Sequence, residues 1–284
     1  MSLPQIFYCF CFRREGTRAA NCNKLPARPL CLDSAPGPFY TENEAKGVGI
    51  LRKLLVVGLL CCLLVTTAFS EEKPKYITQY TNGSREEKRI AVTVDDWFEP
   101  EILGEFLDIA DEYGCKLTLY PIGNNVMKKD GAVWQRAIDE GHEIGNHSNT
   151  HKNLDKAGRD SIIAQLKNME KRLEKALGHP HKMNTVRYPY GAGRHRGTRS
   201  AFAKAIHDAG YEHAVLWDID STNPKDILRE TQNGSIILLH GRKKDLRALK
   251  TILPEFQAQG YEMVTVSELL GIESPAPDDW AAQP

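Results

Sequence analysis

The sequence predicts an α/β fold in which about seven parallel strands alternate with helices and close into a distorted (β/α) barrel. Three observations predict it. Short apolar runs of strand length recur between longer stretches with a helical period. Four helical stretches end alike, at Tyr113-Gly114, Glu140-Gly141, Ala209-Gly210 and Gln259-Gly260, and an apolar run follows each glycine. Glycine just past a helix end supplies the left-handed conformation that stops it. Polar residues, finally, gather at the ends of the apolar runs, where such barrels carry their sites. An open doubly wound sheet is the second architecture this alternation allows.

In chain order, the strands are predicted at 90–94, 117–122, 143–146, 185–188, 213–217, 235–239 and 263–266. The helices fall between them at 101–113, 133–140, 161–177, 199–209 and 246–259. Residues 71–87 read as a polar lead-in, 88–270 as the folded domain and 271–284 as a loose tail. Cys115, just past a helix-ending glycine, reads as a buried, inert thiol.

Ahead of this domain, residues 54–66 form an apolar run, LLVVGLLCCLLVT, preceded by Arg52-Lys53 and followed by Ala68-Phe69-Ser70. A basic flank, a short apolar core and small residues before the cut describe a secretory signal over 48–70, cleaved after Ser70. The run is short against the ~20 residues of a membrane span, and an uncleaved anchor is the alternative. Export to the periplasm or the exterior is therefore expected, with membrane contact only through this segment. Residues 1–47 read as an over-extended start or a disordered extension.

Composition narrows the function. The chain has 284 residues, is 41% hydrophobic and carries 37 basic against 37 acidic residues, which excludes a disordered polyelectrolyte and disfavours a nucleic-acid binder. Residues 1–70 hold 8 basic and 4 acidic residues, so 71–284 hold 29 and 33 and a net charge of −4. Six of the 7 cysteines lie before residue 71, so no disulfide framework is expected in the exported domain.

Five strands bring ionisable groups to one rim: Asp95-Asp96, the His147 to His151 run, Arg187-Tyr188-Pro189-Tyr190-Gly191, Asp218 with Asp220, and His240-Gly241. Two histidines at i and i+4 on a helical turn face one side, close enough to hold one cation. A carboxylate from a neighbouring strand would complete the ligand set, and the adjacent carboxylate, pointing elsewhere, could take a proton from water. His240 could then protonate a leaving group.

These five segments, in this order, resemble the polysaccharide deacetylase family, the NodB homology domain of carbohydrate esterase family four. The resemblance spans about residues 88–270 and implies a NodB-like barrel that removes N-acetyl, less readily O-acetyl, groups from an acetylated cell-envelope or extracellular polysaccharide. It implies one divalent metal, zinc first with cobalt or nickel suitable, held by Asp96, His147 and His151. It makes Asp95 the base that activates metal-bound water, Tyr190 an oxyanion donor through its backbone N–H, and His240 the general acid. Arg187 matches the family arginine, with a structural ion pair as the competing role. Leu238, on the His240 face by period two, is expected against the acetyl methyl.

The chain departs from the family pattern in three places. Trp97-Phe98 follow the aspartate pair where glycine is usual, and offer aromatic faces for a sugar. Tyr188 replaces a proline in the groove. Asn223-Pro224 stand where an aspartate that orients the catalytic histidine and a tryptophan that walls the pocket are usual, leaving Asp218 or Asp220 to orient the histidine. These departures motivate two other readings: a glycan-binding module of weak activity, and a hydrolase of small amides or formamides.

Overall fold

The computed structural model describes residues 75–273; the extension 1–47, the signal 48–70 and the tail beyond 273 lie outside them. The strands are β1 (Thr78–Tyr80), β2 (Arg89–Asp96), β3 (Thr118–Pro121), β4 (Glu143–Ile144), β5 (Thr185–Val186), β6 (His213–Val215), β7 (Ile219–Asp220), β8 (Ile236–His240) and β9 (Glu262–Met263). The helices are α1 (Leu103–Glu112), α2 (Gly131–Asp139), α3 (Arg159–Leu177), α4 (Ala201–Asp208), α5 (Pro224–Glu230), α6 (Lys243–Ala258) and α7 (Val266–Leu270). None of them is long and apolar enough to cross a membrane.

Every paired strand runs parallel, in the order β4-β3-β2-β8-β7 in one sheet and β1-β6-β5 in the other. Two junctions join the sheets into a distorted barrel. Asn146 bridges to Val186, linking the end of β4 to β5. On the other side, residues 216–218 carry the chain from β6 to β7, with Leu216 N–H bonded to Tyr80 O and Asp218 N–H to Ile236 O. β2, buried from Ile90 to Asp96, is central, and β9 pairs with its first two residues.

The four helix-ending glycines adopt φ between 63° and 96°, as their position requires. Helix faces bury Leu103, Phe106 and Leu107 of α1, Trp134 of α2 and Leu166, Met169 and Leu173 of α3 against the sheet. Cys115 is buried, and loss of hydration pushes its thiol up to about 12.

The structure corrects three elements. The polar lead-in contains β1, whose half-buried residues pair with β6. The run at 213–217 ends as a strand at Val215, because the chain there changes sheets. The predicted strand at 263–266 stops at Met263, because Thr265 and Glu268 form a capping box that opens α7.

Candidate functional site

The site starts where β2 ends. Asp95 pairs in register with His240 of β8, and Asp96 with Pro121 of β3. At Asp96 and Trp97 the backbone turns left-handed, with φ of 69° and 58°. This curl sends two adjacent carboxylates, which a regular strand would point to opposite faces, towards neighbouring positions. Trp97 N–H and Gly241 N–H both bond to Asp95 O at 2.8 Å, which draws the ends of β2 and β8 together. A side chain at Gly241 would meet Trp97 Cα at 2.7 Å, so this approach needs glycine.

The second segment follows β4. Asn146 fixes it, accepting Ser148 N–H on Oδ1 and donating from Nδ2 to Leu166 O and Tyr211 Oη. Ser148 and His151 are again left-handed, at φ 66° and 55°. Together with Tyr190 they complete the set of non-glycine residues with positive φ among the described residues, and all five lie in site segments. Such strain persists where a site needs it.

The two segments converge on Asp96 Oδ1, which lies 3.3 Å from His147 Nε2 and 3.1 Å from His151 Nε2. His147 Nδ1 lies 2.8 Å from Arg187 O, which can only accept, so Nδ1 donates there and Nε2 is the nitrogen that faces Asp96. Asp96 Oδ1 is buried with no hydrogen-bond partner. Electron-pair donors from three side chains thus face one another within 4.8 Å. Two imidazoles and one carboxylate fit a divalent ion such as zinc, and the carbonyl behind His147 is the support such ligands use. Burial opposes charge on Asp96, but the facing imidazoles, His147 before His151, outweigh it and hold the carboxyl well below the usual range.

Asp95, 3% exposed, is divided between two neighbours. Its Oδ1 accepts from Arg187 Nη1 at 2.7 Å, while Oδ2 lies 3.7 Å from His147 Nε2. Arg187 is fully buried; it also donates to Thr93 Oγ1, Val215 O and Leu216 O and lies 4.3 Å over the Tyr120 ring. Its guanidinium thus reaches the site through Asp95 and its carbonyl through His147, an arrangement that fits the ion-pair role.

The rim differs from expectation. Trp97 is fully buried, donates to Val94 O and packs edge-on against Phe106 and Trp134, so it cannot stack on a sugar. Tyr188, 1% exposed, packs on Phe202 and is excluded for the same reason. The exposed rings are Phe98, 51% accessible, and Tyr190, 70% accessible, whose centroids lie 6.4 and 4.4 Å from His151. Leu238 is buried on β8, opposite Thr93, two residues before His240.

His240 lies at the strand end with Nε2 4.0 Å from Asp96 Oδ2. Arg242 reaches the same oxygen at 3.5 Å and lies 5.0 Å over Phe98. The carboxylates expected to orient His240 are engaged elsewhere. Asp218 binds Arg85, Ser235 and Ile236 N–H at the opposite end of β8, Asp220 is exposed, and Asn223 caps α5. Asp245, which sequence reasoning missed, is buried in the first turn of α6 with Oδ1 unpaired. Burial raises its carboxyl, and the nearby His240 opposes the shift. An acid five residues after a rim histidine was its only sequence signal.

The polysaccharide deacetylase family model matches residues 82–214. A peptidoglycan-N-acetylglucosamine deacetylase of Bacillus cereus is 33% identical over 199 residues, covering 65% of this chain and 89% of its own. PgdA, the corresponding enzyme of Listeria monocytogenes, is 29% identical over 194 residues, covering 65% of this chain, which spans only 39% of that longer protein. Among solved structures, a CE4 family pseudoenzyme mutant with restored enzymatic activity superposes with a TM-score of 0.60 at 25% identity, covering 70% of this chain and 73% of its own. The match to the Bacillus cereus enzyme over nearly its whole length, on the same parallel α/β fold, places the chain in the polysaccharide deacetylase family, the NodB-like proteins of carbohydrate esterase family four.

Proposed function

We propose that this protein is a metal-dependent deacetylase that hydrolyses N-acetyl, secondarily O-acetyl, groups of a cell-envelope or extracellular glycan. The observation that carries it is the meeting of Asp96 Oδ1 with His147 and His151 Nε2 beside Asp95, one of whose oxygens is fixed by Arg187. The apolar segment 54–66 supports export to the periplasm or the exterior.

A divalent ion on Asp96, His147 and His151 would supply Lewis acidity to the acetyl carbonyl and to a water. Asp95 accepts the proton of the attacking water on Oδ2, the oxygen that Arg187 leaves free. The Tyr190 N–H donates to the developing oxyanion, and His240 protonates the departing amine. Leu238 packs against the acetyl methyl, and the Phe98 and Tyr190 rings flank the sugar.

Acetate release from chitin oligomers, peptidoglycan, acetylated xylan and poly-N-acetylglucosamine, with and without chelator, tests this reading. Asp95→Asn is expected to lower the rate by about 10²–10⁴-fold. Activity equal to wild type would refute the base, and activity indifferent to chelator would refute the metal. Glycan binding without acetate release would support the second reading, a binding domain, which is favoured by the engagement of Asp218 and Asn223 away from His240.

A further inference from the structure

A groove of about 390 Å³ lies beside the metal-binding loop, lined by Asn149 and by Asn168, Lys171, Arg172 and Lys175 of α3. The four helix residues are spaced i, i+3, i+4 and i+7 and share one face. One turn earlier on that face, Gln165 Oε1 accepts from Thr150 N–H at 2.9 Å and from Thr150 Oγ1 at 3.1 Å. Thr150 and Asn149 lie between His147 and His151, so the face runs directly out from the loop that carries two of the proposed metal ligands.

The charge on this face is uncompensated. Among the described residues, no carboxylate lies within ion-pair distance of Lys171, Arg172 or Lys175; Arg172 touches only the amide oxygen of Asn124, at 3.5 Å. Of the two acids interleaved with them, Glu170 is bonded to Lys167 and to Tyr211 Oη, and Glu174 is exposed and forms no ion pair with them. A general excess of base does not explain the cluster, because residues 71–284 carry 29 basic against 33 acidic residues.

Three unpaired cations on one concave face concentrate positive potential. A neutral acetylated chain offers them nothing, whereas a chain with regularly placed carboxylates offers an anion at each repeat. We propose that this groove is a subsite for carboxylate groups borne by the glycan, holding an acidic polymer while an acetamido sugar occupies the metal centre. The inference rests on the proposed deacetylase reading for the identity of the polymer.

The test compares two N-acetylated probes of equal length, hyaluronan oligosaccharide, which carries carboxylates, and chitin oligosaccharide, which does not. Their binding to the full chain is followed calorimetrically at low salt and in 0.5 M sodium chloride, a concentration chosen to screen the exposed cations. The triple variant Lys171→Gln/Arg172→Gln/Lys175→Gln is expected to bind hyaluronan at least about fivefold more weakly at low salt, with chitin binding unchanged and the difference lost at high salt. Lys171→Arg/Lys175→Arg is expected to keep wild-type affinity. Equal affinity of wild type and triple variant for hyaluronan, or equal loss for both probes, would overturn the subsite. Acetate release is followed in the same samples: its absence with charge-dependent binding intact would remove the deacetylase reading and leave the subsite standing.

Discussion

At Asp95, one carboxylate oxygen takes a hydrogen bond from a fully buried guanidinium 2.7 Å away, while the other faces the ligand pair. Such a pair holds geometry more than it adds net stability, yet breaking it strands a buried charge. Arg187→Met is therefore expected to destabilise the domain by about 3–5 kcal/mol in denaturant unfolding. Asp95→Asn in the same background is expected to recover part of that loss, since a neutral amide needs no counter-charge; strictly additive effects would mean that the two side chains do not act as a pair. The meeting of Asp95, Asp96, His147, His151 and His240 at one rim is legible in the sequence, because residue type, short spacing and position at strand ends are local signals. Trp97 and Tyr188 were placed at the wrong surface. The left-handed turn at Asp96 and Trp97 sends the indole inward and leaves Phe98 outside, and no periodicity reports a single reversed φ. Asp245 escaped notice because its approach to His240 depends on the turn through Gly241, which only tertiary packing against Trp97 explains.

The helices read well from sequence because their apolar period and terminal glycines are local signals. Strands of two or three residues read less well, since β1 and β7 are too short to show alternation and exist through their partners. The β3–β4 connection shows how such short strands are held. Leu117 N–H donates to His142 Nδ1 at 2.9 Å, just before each strand begins. The ring is buried and must be neutral on that nitrogen to accept. Burial first, then the Lys116 charge, bring His142 from 6.5 down to about 4. A group whose folded pKa is lowered binds its proton more readily in the unfolded chain, so its contribution is complete above pH 6.5 and declines as the pH falls to about 4. Across that window the decline is about 2–4 kcal/mol. His142→Asn, which cannot titrate, is expected to show a shallower fall in unfolding free energy between these pH values. A slope equal to that of wild type would remove His142 from the acid sensitivity of the fold.

For the molecule as a whole, the proposed ligand set ties together parts of the barrel that the chain reaches separately. Asp96 ends the central strand, His147 and His151 follow β4, and β3 lies between those two strands. The unfolded chain leaves these groups about fifty residues apart in sequence, so an ion that needs all three binds the folded state and stabilises it by mass action. At a hundredfold excess of free ion over Kd the gain is about 2.7 kcal/mol. For a domain of this size each kcal/mol moves the melting temperature by about 2–4 °C, which predicts a rise of roughly 5–10 °C on adding zinc to chelated protein. The same titration on His151→Ala is expected to give little or no rise, because that histidine is the more exposed of the two and its loss opens the set without emptying the core. If zinc raises the melting temperature of wild type and His151→Ala equally, the stabilising ion sits elsewhere and the assignment of Asp96, His147 and His151 falls. If wild type shows no rise while zinc is demonstrably bound, the site is not coupled to the barrel as its position between β2 and β4 requires.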